Sequence, residues 1–171
     1  DKLKLPFPMG SLDQIYDGDY SKWVNKFQLS KKYVVSSHKL DGVSCMLQYN
    51  DGVLVVAYSR GNGVEGADIT RHVKKIPNVP KSIDMHGYIT IRGELIMSNS
   101  KFATEWANEF ANPRNMVAGV FNRKETSDAI NDIDFIAYQI VDADETNIKD
   151  SQKEDLEHLN GLGFKVVEHT M

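Results

Sequence analysis

A chain of 171 residues, 41% hydrophobic and 26% charged, has the makeup of one globular domain with a real core, which excludes intrinsic disorder. Its net charge of −4 argues against tight autonomous binding to nucleic acid, because that affinity comes mainly from lysines and arginines neutralising phosphates. One cysteine, Cys45, excludes a disulfide framework and a cysteine-built zinc site, and the longest apolar run, residues 53–58, is far too short for a bilayer, so a cytoplasmic protein without a membrane partner is expected.

Asp19 is a plausible N-cap for a short helix that presents Trp23, Val24 and Phe27 on one face, and residues 33–36 read as a strand. Two β-rich runs between Cys45 and Tyr58 flank Asn50-Asp51-Gly52, whose Asp-Gly pair suits a tight hairpin. Gly61, Gly63 and Gly66 mark an irregular turn, and Pro77 and Pro80 end the segment after it. Residues 88–97 alternate with β-branched positions and predict a strand. Ser98 or Ser100 can cap a helix over 101–110, and Pro113 suits the first turn of another running to Phe121. A strand over 135–141, an amphipathic helix over 151–162 stopped by Gly163, and a strand over 164–167 complete the chain. Strands first, with helices inserted between later ones, favour an α+β domain with mixed, largely antiparallel sheets. Cys45 reads as a small buried hydrophobe in a strand.

Four segments carry candidate chemistry. Lys39-Leu40-Asp41-Gly42 lies where a strand meets a turn. An unprotonated lysine amine can attack the α-phosphorus of a nucleotide, but a reference pKa of about 10.4 means that cations, metal or burial must favour the neutral form. Gly42 would admit a close backbone approach to a ligand, and Asp41 could hold the turn by accepting from backbone amides. In Ser59-Arg60-Gly61-Asn62-Gly63, an arginine at a strand end beside glycine backbone is suited to an anion, although a glycine-rich surface loop also accounts for it.

Two charges and a glycine interrupt an otherwise apolar strand at Ile91-Arg92-Gly93-Glu94-Leu95. Alternation places both charged side chains on one face, as an Arg92–Glu94 pair or with Glu94 free to accept from ribose hydroxyls. Asn112-Pro113-Arg114-Asn115 opens a helix with unpaired amides and an arginine, which fits a phosphate or a plain cap. Two basic groups, Arg71 with Lys74 and Lys75, and Arg114 with Arg123 and Lys124, are candidates for a local basic face against the background of scattered surface charge.

In this order, the segments resemble the adenylation domain of NAD-dependent DNA ligases from Met9 to about Val167. The Asn-Pro-Arg-Asn run, and Arg-Gly-Asn-Gly followed by Gly-x-Asp-Ile-Thr, carry the resemblance more specifically than the lysine motif, which ATP-dependent ligases and capping enzymes share. The resemblance implies an ATP-grasp-like nucleotidyltransferase fold over residues 1–171 and a lysine that takes AMP from NAD with release of nicotinamide mononucleotide. It further implies AMP transfer to a DNA 5′-phosphate, sealing of the nick, assistance by Mg2+ without a dedicated protein metal ligand, and a place in DNA replication and repair. Its expected partners are NAD and nicked double-stranded DNA.

Matched residue by residue, the resemblance places Lys39 on the adenylated lysine, with Asp41 and Gly42 as its motif partners. Ser11 and Leu12 fall on a pair lining the NAD site, Arg60 on an arginine contacting the nucleotide, Glu94 on a glutamate near the ribose, and Arg114 on a DNA-phosphate contact. At three points the chain departs from the pattern. Ser37 stands where a glutamate is expected to hold the adenine amine, so only a weaker or water-mediated contact is available there. Arg123 stands one position beyond the second expected DNA-contacting arginine. Two later lysine motifs are missing, as are the small nicotinamide-gripping subdomain and the zinc-finger, helix-hairpin-helix and oligonucleotide-binding domains. An adenylation-domain fragment of low activity alone is therefore the expectation. The alternatives are a nucleotide- or partner-binding module that depends on a second polypeptide, and an ATP-using RNA ligase or capping-type transferase.

Overall fold

The computed structural model describes residues 2–171. In chain order the elements are β1 (Lys2–Lys4), α1 (Tyr20–Lys26), β2 (Ser36–Ser37), β3 (Val43–Asn50), β4 (Val53–Ser59), β5 (Glu65–Ala67), α2 (Thr70–Val73), β6 (Tyr88–Ile96), α3 (Asn99–Glu105), α4 (Pro113–Asn122), β7 (Asp134–Ala143), α5 (Gln152–Gly161) and β8 (His169–Thr170). A four-stranded sheet in the order β4-β3-β6-β7 is antiparallel throughout, and β1 with β5 and β2 with β8 form two small antiparallel pairs. The expected α+β architecture is the observed one.

Local chemistry accounts for the best-defined boundaries. Asp51 and Gly52 both take positive φ, 45° and 79°, the backbone of a type I′ turn whose twist matches its flanking strands. In α4, Pro113 occupies the first turn and the Asn112 side chain accepts from the Asn115 amide at 2.8 Å. In α5, Ser151 accepts from the Glu154 amide at 3.3 Å, and Leu156 and Leu159 are buried against the sheet.

Three expected elements differ. The strand foreseen over 33–36 reduces to Ser36–Ser37, because Tyr33 and Val34 are exposed and lack a partner strand among the described residues. The helix foreseen over 101–110 ends at Glu105, where Trp106 and Phe110 turn in against the core instead of continuing the α-helical run. Instead of a strand over 164–167, Val166 makes one parallel bridge to Ala137, and the named strand begins at His169. Asp19 does occupy the N-cap of α1, although its side chain makes no cap bond.

The central sheet separates two unlike faces. On one, Cys45, Leu47 and Tyr49 of β3 pack with Ile89, Ile91 and Leu95 of β6, under Val73 of α2 and Met116, Val117 and Val120 of α4. Each such aliphatic side chain contributes about 1.5–3 kcal/mol when fully buried. Gly93 sits in this layer because an added Cβ would run into the Ile136 carbonyl and the Phe135 ring. Cys45 is fully buried here, and burial pushes its thiol pKa up, which makes it inert packing as expected. The opposite face is polar at its centre. Ser44, Gln48, Thr90, Arg92 and Glu94 alternate out of the core onto it, between an apolar patch of Leu5, Met9 and Met46 and a second one of Ile136, Leu156 and Val167.

Candidate active site

Lys39 and Asp41 lie on the exposed segment that leads from β2 into β3. Gly42 fixes that segment against the sheet, since an added Cβ would collide with the Leu95 carbonyl. Its need for glycine is thus set by β6, not by close approach of a ligand. Asp41 does not hold the turn through amides. Its Oδ1 lies 3.7 Å from Arg114 Nη1, which draws the N-terminus of α4 towards the lysine segment.

Glu94 stands half-buried on β6, directly across from Ser44 of β3. Burial pushes its carboxyl above the ordinary 4.5, while the Gly42 amide and the charges of Arg92, Lys39 and Arg114 pull it back down. The same forces show that Lys39, Arg92 and Arg114 surround this one carboxylate. Arg92 makes no ion pair with it. Its Nε donates to Ser44 Oγ at 3.3 Å and its Nη2 to the Gly10 carbonyl at 2.8 Å, and its guanidinium stands 5.8 Å from the Tyr138 ring centre. Ser44 also pairs with the Tyr138 hydroxyl at 3.2 Å.

Arg60 is held in a similar way. Its Nε donates to the Met9 carbonyl and its Nη2 to Ser11 Oγ, each at 2.9 Å. The two arginines together fasten residues 9–11 across the polar face, which is how Ser11 reaches the site. Leu12, 76% exposed, projects away from that fastening.

The loop after Arg60 satisfies its own amides and is not an open anion nest. Asn62 and Gly63 donate to the Glu65 and Arg60 carbonyls, and Val64 and Glu65 both donate to Asn62 Oδ1. The Gly-x-Asp-Ile-Thr run is a lock on β4. Thr70 Oγ1 donates to Asp68 at 2.6 Å and accepts from the Ala57 amide at 2.9 Å, and the Thr70 hydroxyl and amide hold the Asp68 carboxyl below its ordinary range.

The fold therefore brings Ser11, Lys39, Asp41, Arg60, Glu94 and Arg114 to one side of the sheet. Ser37 is exposed on β2 nearby. Arg123 is not gathered with them: it ends α4, roughly 13 Å along the helix from Arg114 at 1.5 Å per residue, and its carbonyl lies 3.1 Å from His72 Nε2. Ser44 and Tyr138, which orient Arg92, escaped sequence reading because their roles depend on the register of β3, β6 and β7. Lys74 and Lys75 line the largest surface cavity, about 720 Å³, together with Lys81 and residues 126–131, and none of the candidates around Lys39 lines it. Among the described residues, no three or more His, Cys, Asp or Glu side chains converge as a metal cage.

An antiparallel sheet that gathers a lysine, a half-buried carboxylate and arginines on one face defines a nucleotidyltransferase-type domain. The comparison with known proteins is narrower: the chain belongs to the family described as NAD-dependent DNA ligase adenylation domain, whose model matches residues 1–171. It is 38% identical over 173 residues to a DNA ligase of Acanthamoeba polyphaga mimivirus, covering 97% of this chain and 26% of that protein. Similarity to a putative DNA ligase of Invertebrate iridescent virus 6 is 36% over 170 residues, or 95% and 27% of the two chains. A DNA ligase of Thermotoga neapolitana is 35% identical over 181 residues, or 98% and 26%. The chain spans about a quarter of the length of these relatives. No helix is long and apolar enough to cross a membrane among the described residues.

Proposed function

We propose that Lys39 takes AMP from NAD, and that this chain supplies the adenylation step of a DNA ligase. The observation that carries the reading is the clustering of Lys39, Arg92 and Arg114 around the half-buried Glu94 carboxylate. Glu94 accepts the Gly42 amide and retains acceptor capacity for donors such as the ribose hydroxyls of a nucleotide. Arg60 has Nη1 unengaged among the described residues and available to a phosphate oxygen.

In the step proposed, Lys39 Nζ forms a bond to the α-phosphorus of NAD. The bond to the bridging pyrophosphate oxygen breaks, its electron pair leaves with nicotinamide mononucleotide, and the amine proton is released. AMP then passes to a DNA 5′-phosphate, where Arg114 and Arg123 are the proposed phosphate contacts, and the nick is sealed. Ser11, Leu12 and Ser37 are proposed to line the NAD site. Mg2+ commonly binds through one or two carboxylates plus substrate phosphates. With no three-ligand cage among the described residues, it would be held here mainly by the pyrophosphate. Ligation of nicked DNA, a role in replication and repair and a cytoplasmic location belong to the same proposal for the whole protein, with a second polypeptide as the source of any lysines the chain lacks.

The test is incubation of the complete protein with NAD labelled in its adenylate half, followed by peptide mapping. A lysine–AMP adduct at Lys39 that disappears in Lys39→Ala is expected. Labelling that survives Lys39→Ala sinks the assignment, and labelling from ATP but not NAD replaces the nucleotide donor.

A further inference from the structure

Ser37 pairs with His169 across β2 and β8, directly opposite in the antiparallel register, which puts the two side chains on one side of the ribbon about 5 Å apart at Cβ. The pairing runs on beyond the named strands, since the His38 amide donates to the Glu168 carbonyl at 3.2 Å. Alternation over the next residues places Lys39 and Val167 on the same side as Ser37 and His169. Val167 packs there with Ile136, Leu156 and Tyr138. His38 and Glu168 face the other way: their side chains meet at 3.6 Å and are largely exposed. The carboxylate nearest Ser37 in sequence pairing is thus turned away from the lysine.

His169 is oriented by its own strand. Its Nδ1 lies 2.9 Å from the Val167 carbonyl, and a carbonyl only accepts, so in the neutral ring Nδ1 carries the hydrogen. That leaves Nε2 as a bare acceptor at the edge of a partly apolar surface formed by Val167 and Tyr138. The Ser37 hydroxyl both donates and accepts, so it cannot tell an exocyclic amine from a carbonyl. An Nε2 acceptor can.

We infer that His169 Nε2 accepts from the exocyclic amine of the nucleotide base joined to Lys39, and that His169 rather than Ser37 selects an amino purine over its oxo counterpart. The inference rests on the adenylation reading of Lys39. It names the base-specificity residue of that site.

The experiment uses the complete protein and measures the rate of Lys39 adduct formation with NAD and with nicotinamide hypoxanthine dinucleotide, which carries a carbonyl in place of the amine. The protein should favour NAD by about tenfold, the worth of one hydrogen bond. His169→Ala should lose that factor on NAD and leave the rate with the hypoxanthine analogue within about twofold. His169→Gln, with a side-chain carbonyl as acceptor, should keep most of the preference. Equal loss on both dinucleotides in His169→Ala, or an unchanged ratio, overturns the inference while adduct formation still stands. Absence of any adduct in the unmodified protein overturns the Lys39 reading itself, and this inference with it.

Discussion

Glu94 sits among Ser44, Arg92 and Gly42 with its carboxyl pushed up by burial, and that displacement makes it costly to the fold as well as useful to the site. The sign follows from linkage: a carboxyl whose folded pKa exceeds its unfolded value lowers stability once ionised. The cost sets in as pH rises past the ordinary 4.5, where the unfolded chain ionises, and is complete above the raised folded value. Glu94→Gln should therefore be more stable than the unmodified protein at pH 7 to 8, with the difference vanishing below about pH 4 in denaturant titrations. The same variant should form the lysine adduct about 10- to 100-fold more slowly, the range for losing hydrogen bonds to a charged acceptor. A variant destabilised at pH 8 contradicts this account of the residue.

At the scale of single elements, α4 divides its functions between neighbouring residues. Asn112 caps the helix through the Asn115 amide, whereas Arg114 is 64% exposed at its side chain and meets only Asp41, at 3.7 Å. Asn112→Ala should cost about 1 kcal/mol of stability, and Arg114→Ala less than about 0.5 kcal/mol. Arg114→Ala should instead weaken binding of nicked DNA by the complete protein and flatten its salt dependence by about one unit of slope. Equilibrium unfolding and binding titrations at several salt concentrations separate the two.

The α4 cap was legible in the sequence because proline, asparagine and helix start are all local signals, and so were the Asp51-Gly52 turn and the strand of residues 88–96. The pair of β2 and β8 was not: each has two named residues, joined only by a partner more than 130 residues away. For the same reason Lys39, Arg60 and Glu94 could be picked out from local patterns, whereas Ser44, Tyr138 and His169 acquire their places only through strand register. The glycine-rich loop misled in the opposite sense, since its composition suggested open amides and the fold closes them internally.

Across the whole molecule, the site depends on a segment that has little regular structure of its own. Residues 5–11 lie over the polar face, pinned by the Leu5 and Met9 amides donating to Val64 and Gly63, by Met9 packing on Met46, and by Arg60 and Arg92 reaching the Met9 and Gly10 carbonyls. Arg60 thus joins the Ser11 side of the site to the end of β4, so a loss of nucleotide contact and a loosening of this segment are coupled. In Arg60→Ala, hydrogen exchange at Leu5 and Met9 should accelerate about 10- to 100-fold, the worth of hydrogen bonds to a charged donor. Exchange at the centres of β3 and β6 should stay unchanged, because their ladders do not depend on this segment. Uniform acceleration would instead mark Arg60 as a contributor to global stability. No change at Leu5 and Met9 would mean that the packing of Met9 on Met46 and the two amide bonds hold the segment without it.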